Sequence, residues 1–426
     1  MTNIIPIHGL RFSPKAGLDY SQIITQPYDI ISSVEQEIYY EKSPFNVIRL
    51  EYAKSLPGDN NSNNKYTRAA HTLQQWLGEG ILFQEEKPAL YFYEQHFPWG
   101  DKNYLRCGLF CGVELSPFET GNIIPHEKTL DRPKADRLEL MNHCQANFSP
   151  IFGLYDDKDE YLKNEAATLK KEKPIIDFTD VEGQTHRVWA VTDPSPIAAI
   201  QEFFREKKIF IADGHHRYET ALEFYQQKSR TSGDLKKYNY ALMALVNIYD
   251  DGLLSFPTHR LVKQNRIKTG DFLSRLVTNF SLQELKKPEN SALLRETLEN
   301  FLSSTGKEGV SLGLYTEEGK LYGLKLKNPE SFSSPLLDTF VLQELILDTI
   351  FGLGEAEIKD RSALVYLKDE WETKEFIDDG KGNYAFFLNR PSIEKIIDLA
   401  EKGFRMPQKT TYFYPKMITG LIMLQH

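Results

Sequence analysis

Residues 213–217 read Asp-Gly-His-His-Arg, within IFIADGHHRYETAL at 209–222. These five positions carry a carboxylate, two imidazoles, a guanidinium and a glycine. Arg217 can make a two-pronged contact to phosphate or carboxylate. His215 and His216 can donate hydrogen bonds or move a proton near neutral pH. Asp213 can hold a histidine, bind Mg²⁺ or cap a helix. Gly214 can adopt a positive φ or let a ligand approach the backbone. A capped turn with solvated histidines explains any one of these residues. Four ligand-competent side chains around one glycine favour an anion or metal site.

Two other segments carry groups that could join it. PHEKTLDRPKADR, residues 125–137, holds His126, Glu127, Lys128, Arg132, Lys134, Asp136 and Arg137. FPTHR holds Thr258, His259 and Arg260 just after a strand-like run. Each alone reads equally well as charged surface. Together they offer several cations in a chain of net charge -9, which suits a pocket for a doubly charged phosphate. A charge-assisted hydrogen bond contributes roughly 1.5–3 kcal/mol, so two arginines and a helix start could hold one well. A hydrolytic metal site could draw on Asp213, His215, His216, His126 and His259. Adjacent histidines at a helix start point in different directions, however, and rarely share an ion. The Walker loop, the G-x-G-x-x-G fingerprint, the G-x-S-x-G elbow and H-E-x-x-H are all missing from the sequence.

The flanking residues position the cluster. KKIFIAD is a short β-branched and aromatic run. RYETALEFYQQ spaces Tyr218, Ala221, Leu222 and Tyr225 as one helix face. Residues 213–217 are thus expected at a strand-to-helix turn, where the first backbone N–H groups suit an anion. Upstream, TQPYDIIS reads as a turn and FNVIRLEYA alternates like a strand. YTRAAHTLQQWLGEGIL reads as an amphipathic helix, and PALYFYEQHF and YLRCGLFCGVEL as neighbouring strands. DFTDVEGQTHRVWAVTD and VSLGLYTEEGKLYGLKLK are hairpins turning at Gly183 and Gly319. TTYFYPK near the C-terminus reads as closing a core, rather than as returning Lys416 to the pocket.

At 426 residues the chain is too long for one ordinary core. The texture changes near residue 265. We expect an α/β or α+β protein, with an N-terminal α/β domain over 1–265 carrying the site and a C-terminal α+β domain over 266–426. A pI of about 5.7 argues against a general nucleic-acid binder, which needs a basic surface. Cys107, Cys111 and Cys144 are too few for a disulfide framework; the first two read as core residues. No run approaches the roughly 20 apolar residues of a membrane helix, and the N-terminus lacks signal-peptide character. A cytoplasmic protein without nucleic-acid or membrane partners is expected.

ADGHHRYETAL, PHEKTLDRPKADRL, ANFSPIFGLY, PTHRLV, PYDII and MPQKTTYFYPKMITGL resemble a bacterial family catalogued as domain of unknown function 1015. Locally, DGHHR resembles the phosphate-handling box of the ParB/sulfiredoxin-like superfamily, which follows a strand, opens a helix and cradles nucleotide phosphates. His215 fills the slot of the sulfiredoxin cysteine, which excludes that chemistry. The Asp-Gly-His-x-Arg form of free-serine kinases fits best, through Asp213, Gly214, His215 and Arg217. Members of the larger family are often encoded beside serine-pathway enzymes. The resemblance implies phosphoryl transfer on a small hydroxy compound, serine or phosphoserine, as kinase or phosphatase. ATP or ADP and Mg²⁺, the latter on Asp213, would be its cofactors. Gly214, Arg217, His126, Lys134, Arg137, His259 and Arg260 would hold phosphate or substrate. His215, His216 and Asp213 would act in catalysis, with Glu127 or Asp29 as the base. A nucleotide-sensing module without turnover and a metal-dependent hydrolase are the alternatives.

Overall fold

The computed structural model describes residues 1–127, 129, 131–169, 173–230, 236–263, 267–304, 309–354, 363–390, 392–407 and 409–426, with the backbone only at 131, 132, 169 and 236. Lys128 and the side chain of Arg132, both named above, lie outside the described residues. The chain forms two compact units, Met1–Leu254 with Phe413–His426, and Ser255–Tyr412. The division thus falls at 254/255, ahead of residue 265. The last segment belongs to the first unit because Met423–Gln425 pairs antiparallel with Gly9–Phe12, Leu10 opposite Met423.

The fold is mixed α/β. The main sheet of the first unit runs in the order Ile123–Pro125, Ile209–Asp213, Ile151–Tyr155, Tyr240–Asn247, Lys102–Glu114, Leu90–Trp99, Thr185–Val191 and Ile176–Thr179. The 209–213 strand is parallel to 123–125, and 240–247 is parallel to 151–155. The other neighbours are antiparallel. Residues 241–246 of Tyr240–Asn247 are apolar and buried because helices cover one face and chain segments the other.

Alternation along the strands makes two cores. On one face Leu109, Cys111, Met243, Leu245 and Ile211 meet Ile200, Phe204, Tyr218 and Phe224 of the helices Pro194–Phe204 and His215–Ser229. On the other, the C-terminal segment crosses the sheet. Phe413 packs on Phe152 with ring centroids 5.7 Å apart, and Met417 Sδ lies 3.8 Å from Arg106 Nη2.

FNVIRLEYA is not a strand. Residues Ile48–Glu51 form a short helix. The side chain of Asn46 explains it: its Oδ1 accepts from the Ile48 N–H at 3.0 Å, while its Nδ2 donates to the carbonyls of Gln22 and Ile24. A buried asparagine that caps one segment and grips another overrides the alternation of its neighbours.

The second unit holds an antiparallel sheet in the order Phe280–Leu285, Leu321–Leu326, Ser311–Thr316, Tyr384–Phe387, His259–Val262 and Leu364–Leu367. Leu261 and Phe387 face Leu294 and Leu298 of the helix Ser291–Ser303. Val262 and Phe386 face Phe272 and Val341 on the opposite side.

Candidate functional site at the 213–217 turn

The strand Ile209–Asp213 ends where expected and the helix His215–Ser229 begins two residues later. Gly214 takes φ 92°, the left-handed region that favours glycine. A Cβ there would meet the Arg217 guanidinium at 2.9 Å. No side chain caps the helix. Asp213 instead turns both oxygens to cations: Oδ2 accepts from Arg217 Nη2 at 2.7 Å and Oδ1 from Lys416 Nζ at 2.8 Å. Arg217 Nη1 also donates to the Pro150 carbonyl. The expectation that TTYFYPK only closes a core is therefore half corrected. Phe413 does pack in the core, but Lys416 reaches the turn with its side chain 6% exposed.

His215 is buried, and its Nε2 accepts from the backbone N–H groups of His126 and Glu127 at 3.2 and 3.4 Å. A backbone N–H only donates, so this nitrogen carries no proton. His126 donates from Nδ1 to the Ile211 carbonyl at 2.7 Å, and its ring meets that of His215 edge-on at 4.7 Å. Together they pin the 125–127 segment against the turn. His216 is half-buried on the first helical turn. Glu127 stands beside His126, with 3.9 Å between Oε1 and Nε2.

The helix Asp131–Cys144 lies along His215–Ser229 and brings its cations with it. Lys134 pairs with Glu219 at 3.0 Å, and Thr129 donates to the same carboxylate at 2.7 Å. Arg137 is buried. It donates to the Glu51 carbonyl at 2.7 Å and to Asp136 Oδ2 at 2.6 Å, stands 3.5 Å from Glu51 Oε1, and stacks 4.0 Å over the Tyr28 ring. Arg137 thus organises Asp136, which the sequence offered, and Glu51, which it did not single out.

Glu51, Tyr28 and Ser149 are the residues that sequence reasoning passed over. Glu51 is 3% exposed and accepts from Ser149 Oγ at 2.9 Å. Burial raises its carboxyl pKa above the ordinary value, although Arg137 and Arg217 pull the other way. Burial likewise raises the Tyr28 hydroxyl. Burial would also raise Asp136, but Arg137 and Lys65 outweigh it and hold that carboxyl down at about 2. Glu51, Arg137, Ser149, Arg217 and Thr220 line one small cavity of about 40 Å³. Asp29, next to Tyr28, is exposed.

His259 and Arg260 belong to the second unit and are built into it. Arg260 is 3% exposed, bonded to Thr258 and to the Lys409 carbonyl, and stacked on Tyr366. His259 Nδ1 accepts from the Leu388 N–H at 3.3 Å, and Nε2 lies 3.6 Å from Glu370. Their strand register, Arg260 opposite Tyr366 and Phe386, fixes these roles. Among the described residues no group of three or more His, Cys, Asp or Glu side chains could hold a metal ion. Nor is any helix among them long and apolar enough to cross a membrane.

Sheet and turn together define a mixed α/β protein with cations gathered at an uncapped strand-to-helix turn. The chain belongs to the family described as "Protein of unknown function (DUF1015)", whose pattern matches residues 4–345. No curated protein matches the sequence. Among solved structures the chain is similar to a conserved hypothetical protein from Pyrococcus furiosus, at 15% identity and a TM-score of 0.36, covering 75% of this chain and 94% of that one. It is similar to a free serine kinase in complex with AMP, at 14% identity and a TM-score of 0.37, covering 75% and 90%. It is also similar to SbnI with a C-terminal truncation from Staphylococcus aureus, at 8% identity and a TM-score of 0.37, covering 74% and 86%.

Proposed function

We propose that the first unit binds a phosphate-bearing small molecule at the 213–217 turn and transfers a phosphoryl group to or from a small hydroxy compound, serine or phosphoserine. The observation that carries this reading is the pair of cations, Arg217 and Lys416, meeting one carboxylate at a helix start that no side chain caps. Phosphoryl transfer rests on positioning and on charge stabilisation, and both are on hand here. The backbone of 214–217, Arg217 and Lys416 hold the phosphate. His216, half-buried, stabilises charge or moves a proton. His215 and His126 act as positioning residues, since the Nε2 of one and the Nδ1 of the other are engaged by backbone. Arg137 and Lys134 fix the surrounding carboxylates. Glu127 and Asp29 stay in the reading as bases, and Glu51 joins them because it lines a cavity with Arg217 and burial raises its carboxyl. ATP or ADP is the phosphate donor or acceptor. With both oxygens on cations, Asp213 fits the role of organiser better than that of Mg²⁺ ligand. Binding of nucleotide without turnover is the second reading, favoured by the backbone engagement of His215.

The test is thermal unfolding with ATP, ADP, serine, phosphoserine and Mg²⁺, singly and in pairs, followed by turnover assays on the ligands that shift the transition. A ligand at a hundred times its Kd adds roughly 2.7 kcal/mol. The shift should vanish in Arg217→Ala, which keeps its fold because Lys416 still neutralises Asp213. A shift that survives this variant refutes the assignment. A shift without turnover in any pair selects the second reading.

A further inference from the structure

The second unit contains a cavity of about 790 Å³ that the reading above does not use. Its volume lies in the range of small-molecule sites. Leu302, Leu337 and Leu388 form apolar wall. The polar lining is more telling. Asp338 presents a carboxylate whose Oδ2 accepts from the Asn389 N–H at 2.8 Å. Burial raises its pKa, with Lys395 among the groups that pull it down. The next residue, Arg390, is anchored by Nε to the Ser255 carbonyl at 2.7 Å, and its guanidinium sits 5.4 Å from the Phe256 ring centroid. Among the described residues no acceptor meets its Nη atoms, and none meets Lys395 Nζ. Glu394 also lines it, its Oε2 accepting from Ser392 Oγ at 2.7 Å, so among the described residues the cavity joins two cations without ion-pair partners to a desolvated carboxylate tied beside one of them and a second carboxylate held by a hydroxyl.

We propose that this cavity binds a free α-amino acid. Its carboxylate would pair with Arg390 and Lys395, the guanidinium giving the two-pronged geometry. Its ammonium would pair with Asp338, and its side chain would lie on the leucines. The same charges select against other anions. A plain carboxylate leaves Asp338 without a cation of its own, and a phosphate dianion is repelled by it. A zwitterion satisfies both signs.

The full-length chain is titrated with each of the twenty L-amino acids, by thermal unfolding and then by calorimetry for those that shift it. At least one should bind. Removing the charge-assisted contacts in Arg390→Gln or Asp338→Asn should weaken it by about tenfold or more. Arg390 is exposed, so its replacement leaves the fold intact. The matching acid without its amino group should bind about tenfold more weakly, and Arg217→Ala should leave the affinity unchanged. The proposal is overturned by no shift at about 10 mM with any of the twenty, or by binding that ignores Arg390→Gln and Asp338→Asn. Serine aside, which the reading above already assigns to the first unit, it is also overturned by binding lost in Arg217→Ala.

Discussion

Arg137→Met is expected to destabilise the first unit strongly, and Glu51→Gln to relieve much of that loss. Arg137 and Glu51 have side chains 7% and 4% exposed with 3.5 Å between charged atoms. At the effective dielectric that suits buried protein sites, about 20, Coulomb's law gives about 5 kcal/mol for that separation. Truncating one partner of a buried pair costs about 3–5 kcal/mol, mostly because the other charge is stranded. Arg137→Met also strands the Glu51 carbonyl. Asp136 fares better, since Lys65 and Tyr66 still bind it. Glu51→Gln removes the charge that burial penalises and should cost under about 1 kcal/mol. With the carboxylate gone, the methionine has less to strand, so the double variant should lose about 2 kcal/mol less than the sum of the two singles. Urea unfolding followed by tryptophan fluorescence reads this out, because Trp76 and Trp189 are buried in the first unit. Additive losses, or a loss under about 1 kcal/mol for Arg137→Met, would refute the account of Glu51 as a buried charge held by Arg137.

Asp136 should make part of the stability acid-sensitive. Its folded carboxyl is depressed to about 2, so its contribution is present above the unfolded value near 3.9 and is lost as pH falls from about 4 to about 2. The gap in unfolding free energy between the native chain and Asp136→Asn should shrink by about 1 kcal/mol between pH 5 and pH 3; a constant gap sinks this. Gly214→Ala forces an L side chain to φ 92° and places its Cβ 2.9 Å from the Arg217 guanidinium. It should cost about 1–3 kcal/mol and weaken any phosphate ligand as Arg217 shifts; unchanged calorimetric affinity would show that the guanidinium is not a contact.

The turn was legible because its signals are local. A β-branched run, a glycine and a helical repeat fall within fourteen residues, and the strand and helix form there. The convergence of 125–137 was readable only as an inventory of charges. Packing of the helix Asp131–Cys144 along His215–Ser229 decides which charges meet, and it sends Arg137 to Glu51 rather than to the turn. Glu51 was hidden by an alternating apolar segment, since what bends that segment is Asn46 bonding to carbonyls of residues 22 and 24. Lys416 meets a partner 203 residues away, and its aromatic neighbours advertise only the core they also enter. His259 and Arg260 carry the right chemistry for a phosphate clamp, but strand register buries them among second-unit partners.

The arrangement at Asp213 argues for a ligand on energetic grounds. An aspartate at a helix cap position ordinarily accepts from the first N–H groups, which contributes about 1 kcal/mol, but here Gly214 holds that position. Asp213 instead binds Arg217, one helical turn along the chain, and Lys416, from the C-terminal segment. Burying a lysine until its side chain is 6% exposed costs desolvation. The helix dipole adds about half a positive charge at the same point. A capping role would require neither cation. Two cations brought to a helix start that no side chain caps suit the phosphate site proposed above.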